Sequence, residues 1–117
     1  MQHKYAIMYM KGDDGVESRQ VSLLFKALSD EVRVGIIRQL MQGEQCACDL
    51  LKTQKLTQPT LAYHMQILCR SGLVESCRIG RWTHYALSME GVMEAQNITQ
   101  QLVRATEKDP FCNTSCC

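Results

Sequence analysis

The sequence has no apolar run near the ~20 residues that a membrane-spanning helix requires. Only two prolines and seven glycines occur in 117 residues, which excludes collagen-like and proline-rich architectures. Charge of one sign is also missing. Against 13 basic side chains stand 12 acidic ones, leaving +1, so any affinity for nucleic acid must come from local clustering. Gly-x-Gly-x-x-Gly, a phosphate-binding loop and His-Glu-x-x-His are absent, and no Cys-His-acid spacing stands out, so an enzyme is not expected. Tyr5 to Met10 is apolar, but Lys11-Gly-Asp-Asp-Gly15 follows it instead of a small-residue cleavage pattern. We therefore expect a cytoplasmic protein with no membrane contact, and the length fits a single domain.

What the chain has in abundance is cysteine. There are seven, at Cys46, Cys48, Cys69, Cys77, Cys112, Cys116 and Cys117, with none in the first 45 residues. The number is odd and the spacing clustered. In a reducing compartment this points away from a disulfide framework and toward thiolate chemistry with metals or oxidants. Charge is uneven as well: residues 18–56 and 57–85 each carry +2, while residues 1–17 carry −1 and residues 86–117 carry −2.

Hydrophobic spacing divides the chain. Residues 1–17 form an N-terminal extension. Val21, Leu24, Phe25 and Leu28 follow helical spacing and mark a first amphipathic helix. Ser29 and Asp30 offer N-caps for a second, with a stripe of Val32, Ile36, Ile37, Leu40 and Met41 ending at Gly43. A short third helix spans about Ala47 to Leu56. Thr57 caps a fourth that has Pro59 in its first turn, buries Leu61, Met65 and Leu68, and stops at Gly72. The period then changes to two. Val74 to Ile79 and Trp82 to Leu87 alternate around Gly80-Arg81, which predicts a β-hairpin. Ser88 caps a last helix with a stripe of Val92, Ala95, Ile98, Leu102 and Ala105. Four helices, a hairpin and a helix make a mainly α fold, α+β in detail, of winged helix-turn-helix type. The domain covers residues 18–106, and residues 107–117 are a Cys-rich tail. A chain this short has no second layer for the stripes of the first and last helices, so a homodimer through these terminal helices is expected.

Leu28-Ser-Asp-Glu-Val-Arg33, Glu44-Gln-Cys-Ala-Cys-Asp-Leu50, Thr57-Gln-Pro-Thr-Leu-Ala-Tyr-His64, Ser71-Gly-Leu-Val74 and Gly80-Arg-Trp-Thr-His-Tyr85 resemble, in this order, the ArsR/SmtB family of metalloregulatory repressors. The likeness covers about residues 18–106, three quarters of the chain. It implies a homodimeric winged-helix repressor of a metal(loid)-resistance operon that leaves double-stranded operator DNA when a metal or metalloid ion binds. The Cys-x-Cys-Asp-Leu stretch is similar to that of members responding to arsenic, antimony, cadmium and lead. As(III) or Sb(III) is therefore the expected inducer, with Cd(II) or Pb(II) as further candidates and no cofactor needed for DNA binding. Two departures stand out. Leu51 occupies the place where the arsenic-responsive branch often has a third cysteine, and no cysteine lies near the N-terminus as in cadmium-type members. The zinc-type site on the last helix, which uses Asp and His, has no counterpart in residues 89–106.

Cys46 and Cys48 are the candidate metal ligands. On an ideal helix, residues i and i+2 point ~200° apart and cannot share an ion, so both serve one centre only where the helix start is unwound. Glu44, Gln45 and Cys46 offer no good oxygen cap, which makes that start easy to deform, and a helix N-terminus favours thiolate. A trivalent soft centre takes three thiolates. With Leu51 in the third position, either the tail supplies the natural donor through Cys112, Cys116 or Cys117, from the same subunit or across the dimer, or a two-sulfur site is completed by another ligand. Cys69 and Cys77 read as packing residues, and His64 and His84 as parts of the reading helix and the wing. For DNA the candidates are Thr57, Gln58, Thr60, Tyr63 and His64 on the fourth helix, with Arg78 and Arg81 on the hairpin. Two other functions fit the same residues: a redox- or persulfide-sensing repressor on this fold, or a thiol-rich metal-sequestering protein without an operator.

Overall fold

A computed structural model describes residues 17–108. The elements are α1 (Ser18–Leu28), α2 (Glu31–Leu40), β1 (Gln45–Cys46), α3 (Ala47–Gln54), α4 (Gln58–Arg70), β2 (Val74–Ile79), β3 (Trp82–Leu87) and α5 (Met89–Lys108). The expected order holds, and the two hairpin strands match their predicted bounds. Three differences are structural. Helix α3 ends at Gln54 instead of Leu56, because Lys55 turns into the left-handed region at φ 56°. Helix α5 runs past residue 106. A two-residue strand, β1, precedes α3 and was not anticipated.

Local chemistry accounts for the helix starts. The Asp30 carboxylate accepts the Val32 and Arg33 N–H groups at 2.9 and 3.1 Å and caps α2. Thr57 caps α4, and the Ser88 hydroxyl accepts the Gly91 N–H at the start of α5. Gly91 is required for a different reason: a Cβ there would overlap the Gly72 carbonyl, so α5 can lie this close to the end of α4 only without a side chain.

The core gathers one face from every helix. Ile36, Leu50, Met65 and Leu68 are fully buried, joined by Leu24, Ala27, Leu40, Leu61, Leu73, Val74 and Ile98. The sheet order is β1-β3-β2, all antiparallel. Val74, Tyr85 and Leu87 face the helices. Cys46, His84 and Cys77 are paired across the three strands in one row, so they share the opposite face. Apolar surface remains at both ends of the described chain: Phe25 and Leu28 on α1, and Met89, Met93, Leu102 and Val103 on α5, are exposed. No helix among the described residues is long and apolar enough to cross a membrane.

Candidate functional site

Helix α4 is held from below and open above. Its inner residues Leu61, Met65 and Leu68 lock it to the core, and its first turn is closed by Thr57, whose hydroxyl accepts the Thr60 N–H at 3.4 Å and donates to the Thr60 Oγ1 at 2.9 Å. Gln58, Thr60 and Tyr63 are exposed on its outer side, Tyr63 with 57% of its surface. Arg70 is exposed at its end, and Lys52 and Lys55 lie exposed on and just after α3. The hairpin carries Arg78 and Arg81, both exposed, with the Arg78 Nε donating to the Gly80 carbonyl at the turn.

His64 departs from expectation. It is 8% exposed and faces the interior, so the base-contacting role expected for it does not fit its position. The Arg33 guanidinium donates to its Nδ1 at 2.9 Å. Because a guanidinium only donates, that nitrogen is the acceptor and the ring proton sits on Nε2. Arg33, itself buried, also donates to the Ala27 and Lys26 carbonyls at 3.1 and 3.0 Å. One cation thus ties the end of α1, the start of α2 and the middle of α4. The Arg33 N–H holds the Asp30 carboxyl below its ordinary value of 3.8, with burial opposing it and the nearby Arg33 charge assisting. The periodicity that finds the core stripe of α4 also finds His64, since 61, 64, 65 and 68 follow i, i+3, i+4, i+7. Arg33 gave no comparable signal.

The second part of the site is the start of α3. Cys46 ends β1 in extended conformation, at φ −75° and ψ 149°, and acts as the N-cap; its Sγ accepts the Cys48 N–H at 3.2 Å. The structure joins the Cys46 and Cys48 sulfurs as a disulfide, across a Cα–Cα separation of 5.2 Å. The expectation that the helix must unwind for these sulfurs to meet is therefore corrected. Cys46 lies outside the helix, so the ~200° rule never applied to the pair. Both residues are half-buried. Gln39 fixes the surroundings: it donates to the Gln45 and Thr53 side chains at 3.2 and 3.3 Å and accepts from Gln54 at 3.0 Å, binding α2 to β1 and α3. Across the sheet from Cys46, the His84 Nδ1 lies 2.8 Å from the Glu44 carboxylate.

The remaining cysteines separate. Burial raises the Cys69 thiol pKa, partly offset by a hydrogen bond with Ser76, which suits a packing residue. Cys77 is exposed on β2. Cys112, Cys116 and Cys117 lie outside the described residues, as does most of the N-terminal extension. Among the described residues no three His, Cys, Asp or Glu side chains already converge around one point.

Comparison with known proteins agrees with this layout. Residues 30–76 match the family model described as "Bacterial regulatory protein, arsR family". The chain is 44% identical over 66 residues to an arsenical resistance operon repressor of Escherichia coli; the match spans 56% of each protein. To the repressor of the same description from Bacillus subtilis it is 39% identical over 75 residues, covering 63% of this chain and 71% of that one. Among solved structures, the homodimeric winged helix-turn-helix DNA-binding domain of a possible ArsR-family regulator from Mycobacterium bovis superposes with a TM-score of 0.60. It is 26% identical, over 81% of this chain and 89% of that one. These relatives are described as regulators or repressors, not enzymes.

Proposed function

Because the chain belongs to the ArsR family of bacterial regulatory proteins, we propose that it is a homodimeric repressor of a metal(loid)-resistance operon, released from its operator when a thiophilic ion binds Cys46 and Cys48. The observation that carries this reading is the meeting of those two sulfurs at the joint between the sheet and α3. Cys46 pairs with β3 of the wing on one side and opens α3, the helix before the reading helix, on the other. A ligand drawing on both sulfurs acts on that joint, and the angle between wing and α4 is what DNA reads. Arsenite or antimonite is the first inducer to test, because soft centres select thiolate. In the reduced chain two sulfurs are ready, and the third comes from Cys112, Cys116 or Cys117. Cadmium and lead(II) are the further candidates.

DNA contact falls to Thr57, Gln58, Thr60 and Tyr63, with Arg78 and Arg81 at the backbone or minor groove; His64 positions α4 from below. The basic surface is modest, so two heads are needed. The exposed apolar residues of α1 and α5 support a dimer that supplies them. About 4–8 phosphate contacts per dimer should set the salt slope, and a slope well above ten would contradict this.

The deciding experiment is a band-shift titration against arsenite, antimonite, cadmium, lead(II) and zinc. It compares the wild type, Cys46→Ser, Cys48→Ser and a chain truncated after Pro110. Effector should weaken operator binding of the wild type by about 5- to 150-fold. Both serine variants should remain bound. If both dissociate normally, the site assignment is wrong; if only the truncated chain stays bound, the tail is the sensor. One observation favours a second reading. The disulfide between Cys46 and Cys48 suits a redox- or persulfide-sensing repressor, in which an oxidant takes two electrons and two protons from the pair. Operator release by peroxide or polysulfide in ion-free buffer would favour it.

A further inference from the structure

His84 is a potential ligand opposite Cys46 in the sheet that the function above leaves unused. In the sheet register it lies directly opposite Cys46 on one side and Cys77 on the other, so three donor-bearing side chains form one row on the outer face. Directly opposed side chains on one face lie about 5 Å apart at Cβ. Cys48, through its contact with Cys46, adds a second sulfur at the end of that row.

The imidazole is paired with a carboxylate. With Nδ1 2.8 Å from the Glu44 Oε2, the proton belongs on Nδ1, and the neutral ring keeps its lone pair on Nε2. This is the arrangement found around ligating histidines, where the second ring nitrogen donates to a carboxylate that sets the tautomer and raises the ring's basicity. The three donors do not converge as they stand, but the His84 side chain is 26% exposed and that of Glu44 54%, so ring and carboxylate have room to turn together while the backbone stays in register.

Resting on the assignment of Cys46 and Cys48 as ligands, we propose that His84 is the third ligand of that site. It gives a two-thiolate, one-imidazole set for a thiophilic divalent cation, with Glu44 as its hydrogen-bonding partner. Such a mixed set suits cadmium or zinc, whereas a trivalent metalloid takes sulfur alone. The chain thereby senses two chemical classes through one sulfur pair: divalent cations with the wing histidine, trivalent metalloids with the tail. Ligation by His84 ties β3 to the start of α3, so the divalent effector grips the wing directly. Cys77 stays outside the set; it is exposed, and its Sγ lies against the Arg78 carbonyl.

The test is a cadmium titration of the reduced full chain, followed by thiolate-to-cadmium absorption in the ultraviolet and by the imidazole resonances in proton NMR. The wild type should develop the absorption and shift one histidine signal, which His84→Gln removes. His84→Gln should bind cadmium at least ~10-fold more weakly, and Glu44→Gln about 10-fold more weakly. Replacing Cys112, Cys116 and Cys117 together by serine should change cadmium affinity by less than about twofold while weakening arsenite binding at least ~10-fold. Cys77→Ser should leave the cadmium affinity of the wild type. If His84→Gln keeps that affinity while Cys46→Ser loses it, the imidazole proposal fails and the sulfur site stands. If Cys46→Ser keeps it too, the sulfur assignment itself has failed. Loss in Cys77→Ser with retention in Cys46→Ser would move the ion to the β2–β3 pair and overturn the proposal.

Discussion

Helices α2 and α3 both begin after an extended residue, yet their starts are built from different chemistry. At α2 a carboxylate accepts two N–H groups, at 2.9 and 3.1 Å, and its charge is reinforced by the Arg33 guanidinium. At α3 a sulfur accepts one N–H, at 3.2 Å. A carboxylate held by two backbone donors and a cation has no better partner to leave for. Sulfur is a weak acceptor and a strong ligand, so it gives up the cap at little cost when a soft partner arrives. The firm start anchors the reading helix through His64, and the soft one lies where the wing meets α3. The contrast separates the part of the head that holds shape from the part proposed to respond.

The largest expected effect tests the firm start. Arg33→Met strips the buried network of its donors, taking that partner from the Ala27 carbonyl and the His64 ring nitrogen, while the Lys26 carbonyl keeps the Ser29 N–H and hydroxyl. Urea denaturation should show a loss of about 3–5 kcal/mol, with weakened operator binding. A loss under about 1 kcal/mol would mean that the core alone holds α4.

Next comes the cap itself. Asp30→Ala should lose about 1–2 kcal/mol. Because the folded Asp30 carboxyl titrates below its ordinary value of 3.8, its contribution is complete above that value and disappears as the pH falls through the lower folded value. The variant's stability curve should therefore be flatter than wild type at acid pH, and parallel curves would remove the electrostatic part of the contrast.

In the reduced chain Cys46→Ala should be milder, about 0.5 kcal/mol, since only a weak acceptor is lost. A loss as large as that of Asp30→Ala would make the two starts equivalent.

Cys46→Ser is the smallest and sharpest case. Serine is a good N-cap, so stability should stay within about 0.5 kcal/mol of wild type or rise, while effector-driven operator release disappears in the band shift. Lost release together with a large destabilisation would mean that the residue is structural.

Much of the head is legible from the sequence because its signals are local. The stripes of α1, α2, α4 and α5, the caps Asp30, Thr57 and Ser88, and the Gly80-Arg81 turn each depend on residues within one or two turns of chain. Of the residues expected on the DNA face, Gln58, Thr60, Tyr63, Arg78 and Arg81 are exposed, whereas His64 is buried. His64 was misread by residue type, as a polar side chain on a reading helix, although its spacing matched the buried stripe. The Cys46/Cys48 geometry was misread for a different reason. Helical angles were applied to a residue that lies in a strand.

What the sequence determined by itself is the set of elements, their order and the chemical capacity of two closely spaced thiols. Periodicity, capping oxygens and turn glycines act over a few residues and need no distant partner. Tertiary structure alone decided that Arg33 points inward to His64, that two residues before α3 join the wing, and that Cys46 faces His84 across the sheet. A two-residue strand has no period to detect, and a buried cation is stable only where remote carbonyls and a ring nitrogen arrive to meet it. Those choices belong to the packed molecule.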